Sequence, residues 1–296
     1  MKSILKNISD GKILVADGAM GSMLMQKGLQ AGECPELLNL EKPEIVKEVA
    51  ELYFESGADI IQTNTFGGTP LKLSDYSLED KCTEINKAAV QIVKSVTDGK
   101  AFISGSCGPT GKMLEPFGEM SEDEAFNNFK LQTTALIDAG VDMLCIETMI
   151  DLNESLIAVK AARSNSEIIP IAATVTFNKT PGGFVTIMGN NIETVAKSLI
   201  DCGADIIGSN CGNGIENMVE IAKEFRNISN HPLLIQANAG IPDIVDGTPT
   251  YPETPEFFVE RVNTLIDAGV SIIGGCCGTT PEHIRQMKNA VKSLSD

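Results

Sequence analysis

The sequence predicts an α/β fold in which eight parallel strands close into a (β/α)8 TIM barrel. Short apolar runs rich in Val and Ile alternate with longer segments of helical period along the chain. The runs are apolar almost throughout, which is typical of strands buried on both faces. A length of 296 residues suits such a barrel with insertions in its loops.

Eight apolar runs are the candidate strands. In chain order they cover residues 12–17, 58–63, 101–106, 142–148, 170–176, 205–210, 232–237 and 271–275. Four joints repeat a pattern, SGADII, AGVDML, CGADII and AGVSII, in which a glycine at a helix end precedes the next strand by about two residues. This repetition indicates one type of helix-to-strand connection used several times.

Two capping patterns in the sequence predict where helices begin. Ser121 stands three residues before Glu124, which is a capping-box spacing, and Thr280 precedes Pro281, which favours an N-cap followed by the first helical residue. No linker or low-complexity segment interrupts the alternation of elements. We therefore predict a single domain over residues 1–296.

Composition excludes several classes of partner. The net charge of −17 would repel a phosphate backbone, so nucleic acid is not expected. The sequence contains no apolar run of the ~20 residues that span a bilayer, and its N-terminus lacks the features of a signal peptide. We expect a cytoplasmic protein without membrane contact. In that compartment the eight cysteines are free thiols or metal ligands rather than a disulfide framework.

Polar residues stand where the predicted strands end. In such barrels the catalytic groups lie at the C-terminal ends of the strands. The residues at these ends are Asp17, Thr63, Asn64, Ser106, Cys107, Glu147, Thr148, Thr174, Thr176, Asn210, Cys211, Asn238, Cys276 and Cys277. The long loops rich in Gly and Pro at 107–120, 177–190 and 238–254 are the expected walls of the site.

Three of these strand-end residues are cysteines. Cys276 and Cys277 follow the last predicted strand and Cys211 follows the sixth, so the fold would bring three thiols to one rim. Three thiolates are what a zinc site uses when a fourth position is left for water or substrate, and such a centre favours ionisation of a substrate thiol for S-alkylation. Inert thiols and a redox pair remain the alternatives.

Two acids share that rim. Asp17 and Glu147 close the first and fourth predicted strands, and free N–H groups follow Asp17 in ADGAMGS. Two carboxylates beside N–H donors would suit an amino acid, although a turn residue or an ion pair would also explain them. The remaining cysteines Cys34, Cys82, Cys145 and Cys202 are expected in the core, and His231 and His283 at the surface.

The motifs DGAMGS, IQTNTFGG, GADIIGSNCG, QANAG and IIGGCCGTTPEHI resemble the homocysteine S-methyltransferase family, and in particular the homocysteine-binding domain of cobalamin-dependent methionine synthase. The resemblance implies zinc on Cys211, Cys276 and Cys277 with the homocysteine sulfur as fourth ligand. It also implies that Asp17 and Glu147 hold the substrate amino group. The backbone near Gly18, Ala19 and Met20 would receive the carboxylate, the Asn238 oxygen would occupy the zinc without substrate, and Asn210 joins the substrate-binding set.

The resemblance implies that the homocysteine sulfur displaces the donor methyl group directly and that methionine is the product. Folate-binding and cobalamin-binding modules do not follow the motifs here, so we expect methylcobalamin or a methylated corrinoid protein as a donor in trans, unless the chain is a fragment of a longer enzyme. A betaine or sulfonium donor would call for an aromatic cage, yet the sequence holds no Trp and three Tyr. Another thiol substrate, S-methylmethionine as donor, and a non-catalytic zinc or thiol sensor are the alternatives.

Overall fold

The computed structural model describes residues 3–245 and 248–294. Its main sheet contains eight strands, and each overlaps one predicted run. The strands are β1 Leu14–Val15, β2 Ile60–Gln62, β3 Phe102–Cys107, β4 Met143–Met149, β5 Ile171–Val175, β6 Ile206–Asn210, β7 Leu233–Ala237 and β8 Ile272–Gly275. Their apolar side chains are buried, as the runs predict.

The sheet closes on itself. Neighbouring strands follow the order β1, β8, β7, β6, β5, β4, β3 and β2, and every pairing is parallel. A parallel bridge between Ala16 and Ile60 joins the two ends of this order. The Asp17 N–H donates to the Ile60 carbonyl at 3.1 Å, and the Asp59 N–H to the Val15 carbonyl at 2.7 Å. The predicted eight-stranded parallel barrel is confirmed.

Helices connect the strands. They are α1 Ile4–Ser9, α2 Met20–Gln26, α3 Leu38–Glu41, α4 Pro43–Glu55, α5 Pro70–Ser74, α6 Cys82–Thr97, α7 Glu122–Ala139, α8 Leu152–Asn165, α9 Ile192–Asp201, α10 Ile215–Ile228, α11 Pro255–Asp267 and α12 Pro281–Ser293. Short 3-10 turns cover Pro35–Leu37 and Glu79–Lys81. Two β-hairpins, Asn178–Thr180 with Gly183–Val185 and Asp243–Val245 with Thr248–Thr250, project from the connections after β5 and β7. Among the described residues, no helix is both long and apolar enough to cross a bilayer.

The predicted helix starts are confirmed, with one correction. The Ser121 hydroxyl accepts from the Glu124 N–H at 3.2 Å at the start of α7, and Thr280 caps α12. His283 was expected at the surface, but it is 4% exposed. Its Nδ1 accepts the Thr280 N–H at 3.1 Å, which leaves Nε2 to donate to the Glu253 carbonyl at 3.1 Å. The histidine is buried because both ring nitrogens have a partner in the cap.

The repeated helix-to-strand joints fix the register at the amino ends of the strands. In three of them an aspartate directly before the strand accepts a backbone N–H from the neighbouring strand. The bonds run from Val15 to Asp59 at 2.9 Å, from Ile103 to Asp142 at 2.8 Å and from Ile171 to Asp205 at 2.8 Å. In the fourth joint the Ser271 hydroxyl accepts from the Leu233 N–H at 3.4 Å. The repeat therefore supplies acceptors that the strand ends would otherwise lack.

The amino end of the barrel interior is apolar and closed. Inward side chains such as Phe102, Met143 and Leu234 form one buried cluster, and Ile4 of α1 is buried in it. Cys145 lies in this layer, and Cys34 and Cys82 are buried in a cluster outside the barrel, whereas Cys202 is half-buried. Burial raises the pKa of the Cys34 thiol to about 11 and that of Cys82 to about 12, so both stay protonated at neutral pH. The core role predicted for the three buried cysteines is confirmed.

A three-cysteine cluster and two buried acids at the barrel mouth

Three cysteines meet at the carboxyl end of the barrel. Their sulfur atoms all lie within 4.8 Å of one another, and the Cys211 and Cys277 sulfurs are 3.9 Å apart. Strand β7 lies between β6 and β8. The Cys211 N–H donates to the Gln236 carbonyl on β7 at 3.1 Å. The Cys276 N–H donates to the Ala237 carbonyl on the same strand at 2.8 Å. The cysteines converge because β7 holds the ends of both neighbouring strands.

The backbone turns sharply at this cluster. Cys211 adopts a left-handed conformation with φ of 60°, which is costly for a residue with a side chain, and Gly212 continues it with φ of 73°. Gly278, with φ of 79°, follows Cys277, and the Tyr251 ring occupies the space that a Cβ on Gly278 would need. The surrounding structure thus holds the strained Cys211 backbone in place, while glycines complete the turns on both sides of the sulfurs.

The cluster fits a tetrahedral metal ion. Zinc bound to sulfur at about 2.3 Å places its ligand atoms roughly 3.8 Å apart, which matches the separation of Cys211 and Cys277. The thiols of Cys276 and Cys277 donate toward Cys211, so the pKa of Cys211 falls to about 3 and that of Cys277 rises to about 11. By themselves the three sulfurs favour a single negative charge, whereas a divalent cation would stabilise all three as thiolates.

A neighbouring amide also fits a metal site. The side chain of Asn238 contacts the Cys211 sulfur and helps to lower the pKa of that thiol. Its Oδ1 atom is buried and has no hydrogen-bond partner among the described residues. A buried carbonyl oxygen without a donor is costly, and a cation beside it would satisfy it.

Two buried acids lie beside the cysteines. The Asp17 Oδ2 accepts the Gln62 N–H at 2.8 Å, whereas its Oδ1 is buried without a partner among the described residues. Burial, with a contribution from the negative charge of Glu147, raises the pKa of Asp17 to about 8. Burial also raises the pKa of Glu147 to about 7, although the Ser106 hydroxyl donates to this carboxylate. A bound ammonium group would favour the ionised form of both acids.

Asn210 links the acids to the cysteines. Its Oδ1 accepts from the Thr148 N–H at 2.7 Å and from the Thr174 hydroxyl at 2.8 Å, and these bonds fix the orientation of the amide. Its Nδ2 then donates to Glu147 Oε2 at 3.3 Å and lies 4.0 Å from the Cys276 sulfur. The amide therefore holds Glu147 in place next to the metal-ligand candidates.

The cysteines and Glu147 open into one cavity of about 250 Å³. Seven of the predicted site residues line it: Gly18, Ala19, Met20, Glu147, Cys211, Cys276 and Cys277. Asp17, Asn210 and Asn238 lie directly behind this lining, where Asp17 and Asn210 are hydrogen-bonded to the lining residues Gln62 and Glu147 and Asn238 contacts Cys211. The structure thus brings all ten predicted residues to one place.

The walls of the cavity differ from the expectation. The described lining contains no residue of 107–120 or 177–190, so the prediction that these long loops form walls is wrong. The third proposed loop, 238–254, lies just behind the lining, where Asn238 contacts Cys211 and Tyr251 contacts Cys277. Residues 18–22, 35–36 and 62–66 form much of the wall instead. Two hairpins explain part of the difference, because Asn178–Thr180 pairs with Gly183–Val185 and Asp243–Val245 pairs with Thr248–Thr250.

The backbone just before α2 closely approaches the turn that follows β8. A Cβ on Gly18 would lie 2.7 Å from the Thr279 Oγ1 atom, so glycine is required there. The Ala19 N–H already donates to Thr279 Oγ1 at 3.2 Å. The N–H groups of Gly18 and Met20 have no acceptor among the described residues and remain available to a ligand.

An apolar rim surrounds the mouth. Among the described residues, nine of the twelve exposed large hydrophobic side chains belong to connections that follow the carboxyl ends of strands. We call this set the apolar rim: Met25, Phe66, Met113, Phe117, Ile150, Ile187, Met188, Ile241 and Ile244. Such a concentration of exposed apolar groups is typical of an interaction surface.

Comparison with known proteins gives the family. The model of the homocysteine S-methyltransferase family matches residues 14–291, which include all the site residues above. The chain belongs to the homocysteine S-methyltransferase family. As a member of this family, it carries the three cysteines and the two acids inside the matched region.

Curated relatives agree with this placement. A methionine synthase from Mycobacterium leprae is 31% identical over 305 aligned residues, which cover 96% of this chain and 25% of the relative. A methionine synthase from Mycobacterium tuberculosis is 30% identical over 310 residues, covering 98% of this chain and 25% of the relative. This member of the family spans about a quarter of the length of these relatives.

Solved structures share the barrel. The metallated form of the homocysteine methyltransferase MmuM from Escherichia coli superposes with a TM-score of 0.80 at 22% identity, covering 97% of this chain and 99% of that chain. A methyltransferase from Methanosarcina mazei gives a TM-score of 0.64 at 11% identity, with 99% and 98% of the two chains covered. At these identities the likeness concerns the fold, which this member of the family shares with both.

Glu36 and Phe66 are among the cavity-wall residues that sequence reasoning missed. Glu36 lies on the 3-10 turn of residues 35–37, which no strand end marks. Phe66 lies within the motif IQTNTFGG, and an aromatic residue before two glycines in a loop after a strand was an available signal.

Proposed function

We propose that this chain is a zinc-dependent methyltransferase that methylates homocysteine to methionine. The observation that carries the proposal is the convergence of three cysteine sulfurs within 4.8 Å with two acids of raised pKa at one cavity, in a member of this family. The sulfurs suit a metal and a substrate thiol, and the acids suit the ammonium group of an amino acid. Homocysteine carries both groups.

Cys211, Cys276 and Cys277 would hold the zinc, with the Asn238 amide beside Cys211. When bound, zinc would lower the pKa of the substrate thiol from about 8.5 and so supply a thiolate at neutral pH. The three ligands leave one coordination position for that sulfur. No side chain is then needed as a base, and the buried His283 has both ring nitrogens occupied in its helix cap.

The acids would bind the substrate ammonium. Asp17 Oδ1 and Glu147 are buried without a cation among the described residues, and a bound ammonium would favour both carboxylates in their charged form. Asn210 keeps Glu147 oriented, and the Gly18 and Met20 N–H groups would donate to the substrate carboxylate. Held at both ends, the thiol amino acid has its sulfur directed to the cysteines, which aligns it for displacement.

We further propose that the methyl group comes from methylcobalamin or from a methylated corrinoid protein supplied in trans. The apolar rim around the mouth offers a docking surface for a large donor. A small quaternary or sulfonium donor would instead favour an aromatic cage. Among the described residues Phe66 lines the cavity, and the Tyr251 ring lies beside Cys277. Tyr53 is fully buried and Tyr76 lies in a separate cluster, so neither adds a ring to a cage.

The test is methionine formation by zinc-loaded protein with homocysteine and each donor separately. We expect turnover with methylcobalamin or a methylcorrinoid protein, and little with S-methylmethionine or betaine. Rates with cysteine and with an alkanethiol in place of homocysteine measure the thiol preference. Full turnover with S-methylmethionine and none with methylcobalamin would overturn the donor proposal, and binding of zinc without methylation of any thiol would support the sensor alternative.

A further inference from the structure

The backbone around Phe66 is held more firmly than that of an ordinary surface loop. The Phe66 carbonyl accepts the Gly108 N–H at 2.8 Å. On its amino side the Thr65 hydroxyl donates to the Ser106 carbonyl at 2.7 Å, and the Thr65 carbonyl accepts from Gln132 at 2.7 Å. The neighbouring residue Thr65 is completely buried. Phe66 is thus presented from a fixed main chain.

A second segment clamps this loop from the other side. The Asn64 side chain donates to the Pro35 carbonyl at 2.7 Å, and the Asn64 carbonyl accepts from the Asn39 side chain at 2.8 Å. The Gly67 N–H donates to Glu36 Oε1 at 2.7 Å. Glu36 is 4% exposed, and burial raises its pKa, so its position carries an energetic cost. A buried acid that accepts the N–H next to Phe66 is a positioning device for that residue.

The side chain of Phe66 is free on one face. It is 41% exposed, lines the cavity and rests on Gly108, where an added Cβ would lie 2.6 Å from the ring. A glycine therefore lets the ring lie flat against the loop after β3. An apolar side chain whose backbone is already ordered loses little conformational entropy when a ligand covers it. The exposed face of the Phe66 ring is therefore available to a ligand in the cavity.

We infer that Phe66 positions the substrate: its ring is the apolar wall for the methylene carbons of the thiol amino acid, and Glu36 holds it there through the Gly67 N–H. This inference rests on the proposed function. The cavity offers charged and sulfur partners for the two ends of such a substrate, and Phe66 supplies an apolar surface in the same lining. Neither Phe66 nor Glu36 takes part in the methyl transfer itself.

The first experiment measures homocysteine binding to the zinc-loaded protein by calorimetry. Because Phe66→Ala removes the apolar contact, it should weaken binding roughly tenfold, whereas Phe66→Leu should stay within about threefold of the original affinity. Phe117→Ala is the matched control, since that ring is 72% exposed on the same face but outside the cavity lining, and homocysteine binding should be unchanged. Zinc content should stay the same in all three variants.

The preference for homocysteine over cysteine distinguishes an apolar wall at Phe66 from a general structural effect of the substitution. Cysteine is one methylene shorter than homocysteine, so the unaltered protein should prefer homocysteine by roughly fourfold on this contact, and Phe66→Ala should bring the ratio of the two affinities toward one. Unchanged homocysteine affinity and selectivity in Phe66→Ala would overturn the inference and leave the proposed function standing. Failure of the unaltered zinc-loaded protein to bind homocysteine at all would overturn both.

Glu36 is tested through its partner. Glu36→Gln keeps an oxygen for the Gly67 N–H and should bind homocysteine as the unaltered protein does, whereas Glu36→Ala should weaken binding several-fold. If Glu36 acts through Phe66, the double variant Glu36→Ala with Phe66→Ala should bind no more weakly than Phe66→Ala alone. Additive losses would contradict the positioning role and indicate that Glu36 contacts the substrate directly.

Discussion

The two ends of the barrel use the same residue types in opposite ways. At the amino end Asp59 accepts the Val15 N–H at 2.9 Å and pairs with Lys288 at 2.6 Å, and an apolar layer closed by Ile4 lies beside it. At the carboxyl end Asp17 is buried with one oxygen unpartnered among the described residues, and its pKa is raised to about 8. Asp59 therefore has its partners within the fold, whereas Asp17 Oδ1 is available to a ligand.

The same contrast holds for backbone and thiols. Two left-handed residues with side chains stand directly at the strand ends of the site, where Cys211 has φ of 60° and Thr148 has φ of 58°. Cys145 in the apolar layer has a pKa well above that of an ordinary thiol, because burial disfavours its charge, whereas the pKa of Cys211 is lowered by its two neighbours. Strained residues and unpartnered side chains that converge on one cavity indicate function at the carboxyl end, while the apolar layer at the amino end supplies stability.

The largest effect should come from one of the three cysteines proposed to bind zinc. Cys277→Ala should abolish stoichiometric zinc binding and lower methyl transfer more than roughly hundredfold, because two thiols and an amide cannot replace three thiolates. Cys202→Ala, a half-buried cysteine outside the cluster, is the control and should keep its zinc. Zinc content by elemental analysis and methionine formation are the measurements. Full zinc occupancy in Cys277→Ala would break the assignment of function to the carboxyl end.

The next largest effect should come from Asp17, one of the two buried acids. Asp17→Asn keeps the shape of the side chain but removes the charge that would hold an ammonium, so we expect homocysteine binding to weaken about tenfold or more, with zinc retained. Calorimetry of the zinc-loaded variant measures this loss. A thiol of similar length without an amino group should bind both proteins equally, and an equal loss for that thiol would show that the substitution disturbs the sulfur site instead.

An acid at the amino end should affect stability alone. Asp59→Ala removes the acceptor of the Val15 N–H and the partner of Lys288, so unfolding should become easier by about 1–3 kcal/mol. Asp10→Ala, which breaks a surface pair with Lys6, should cost about 0.5 kcal/mol or less. Denaturant titration gives both values. A change in homocysteine affinity for Asp59→Ala would show that the two ends are not separate.

The last effect concerns pH. The pKa of Asp17 is about 8 in the folded protein against 3.8 ordinarily, so the folded state holds a proton that the unfolded state has lost between these values. The stability contributed by this proton is full below about pH 4 and is lost as pH rises through 8. The thermal midpoint of ligand-free protein should therefore fall over that window, and fall less steeply in Asp17→Asn. Identical slopes would contradict the raised pKa.

Local patterns in the sequence were sufficient for the barrel and for the residues that end its strands. Eight apolar runs predicted eight strands, because burial on both faces leaves a short-range signature. The site residues followed from their positions, since parallel strands bring their carboxyl ends together. The joints such as SGADII were recognised as repeats, yet the bond from Val15 to Asp59 required the pairing of distant strands.

Features that depend on long-range packing were not predicted. Loop length suggested walls at 107–120 and 177–190, but residues 35–36 and 62–66 form the wall because side chains such as Asn64 bind across to the Pro35 carbonyl. His283 was expected at the surface because its place in the first helical turn is usually exposed, whereas the Glu253 carbonyl covers its second nitrogen. Neither contact has a signature within a short window of sequence.

Zinc content together with X-ray absorption at the zinc edge tests the central claim most directly. We expect about one zinc for each chain, with three sulfurs around it in the protein alone and four after homocysteine is added. That result would establish that Cys211, Cys276 and Cys277 hold a metal open to a thiol. Protein purified without zinc that gains none on addition, or a sulfur number unchanged by homocysteine, would contradict the account.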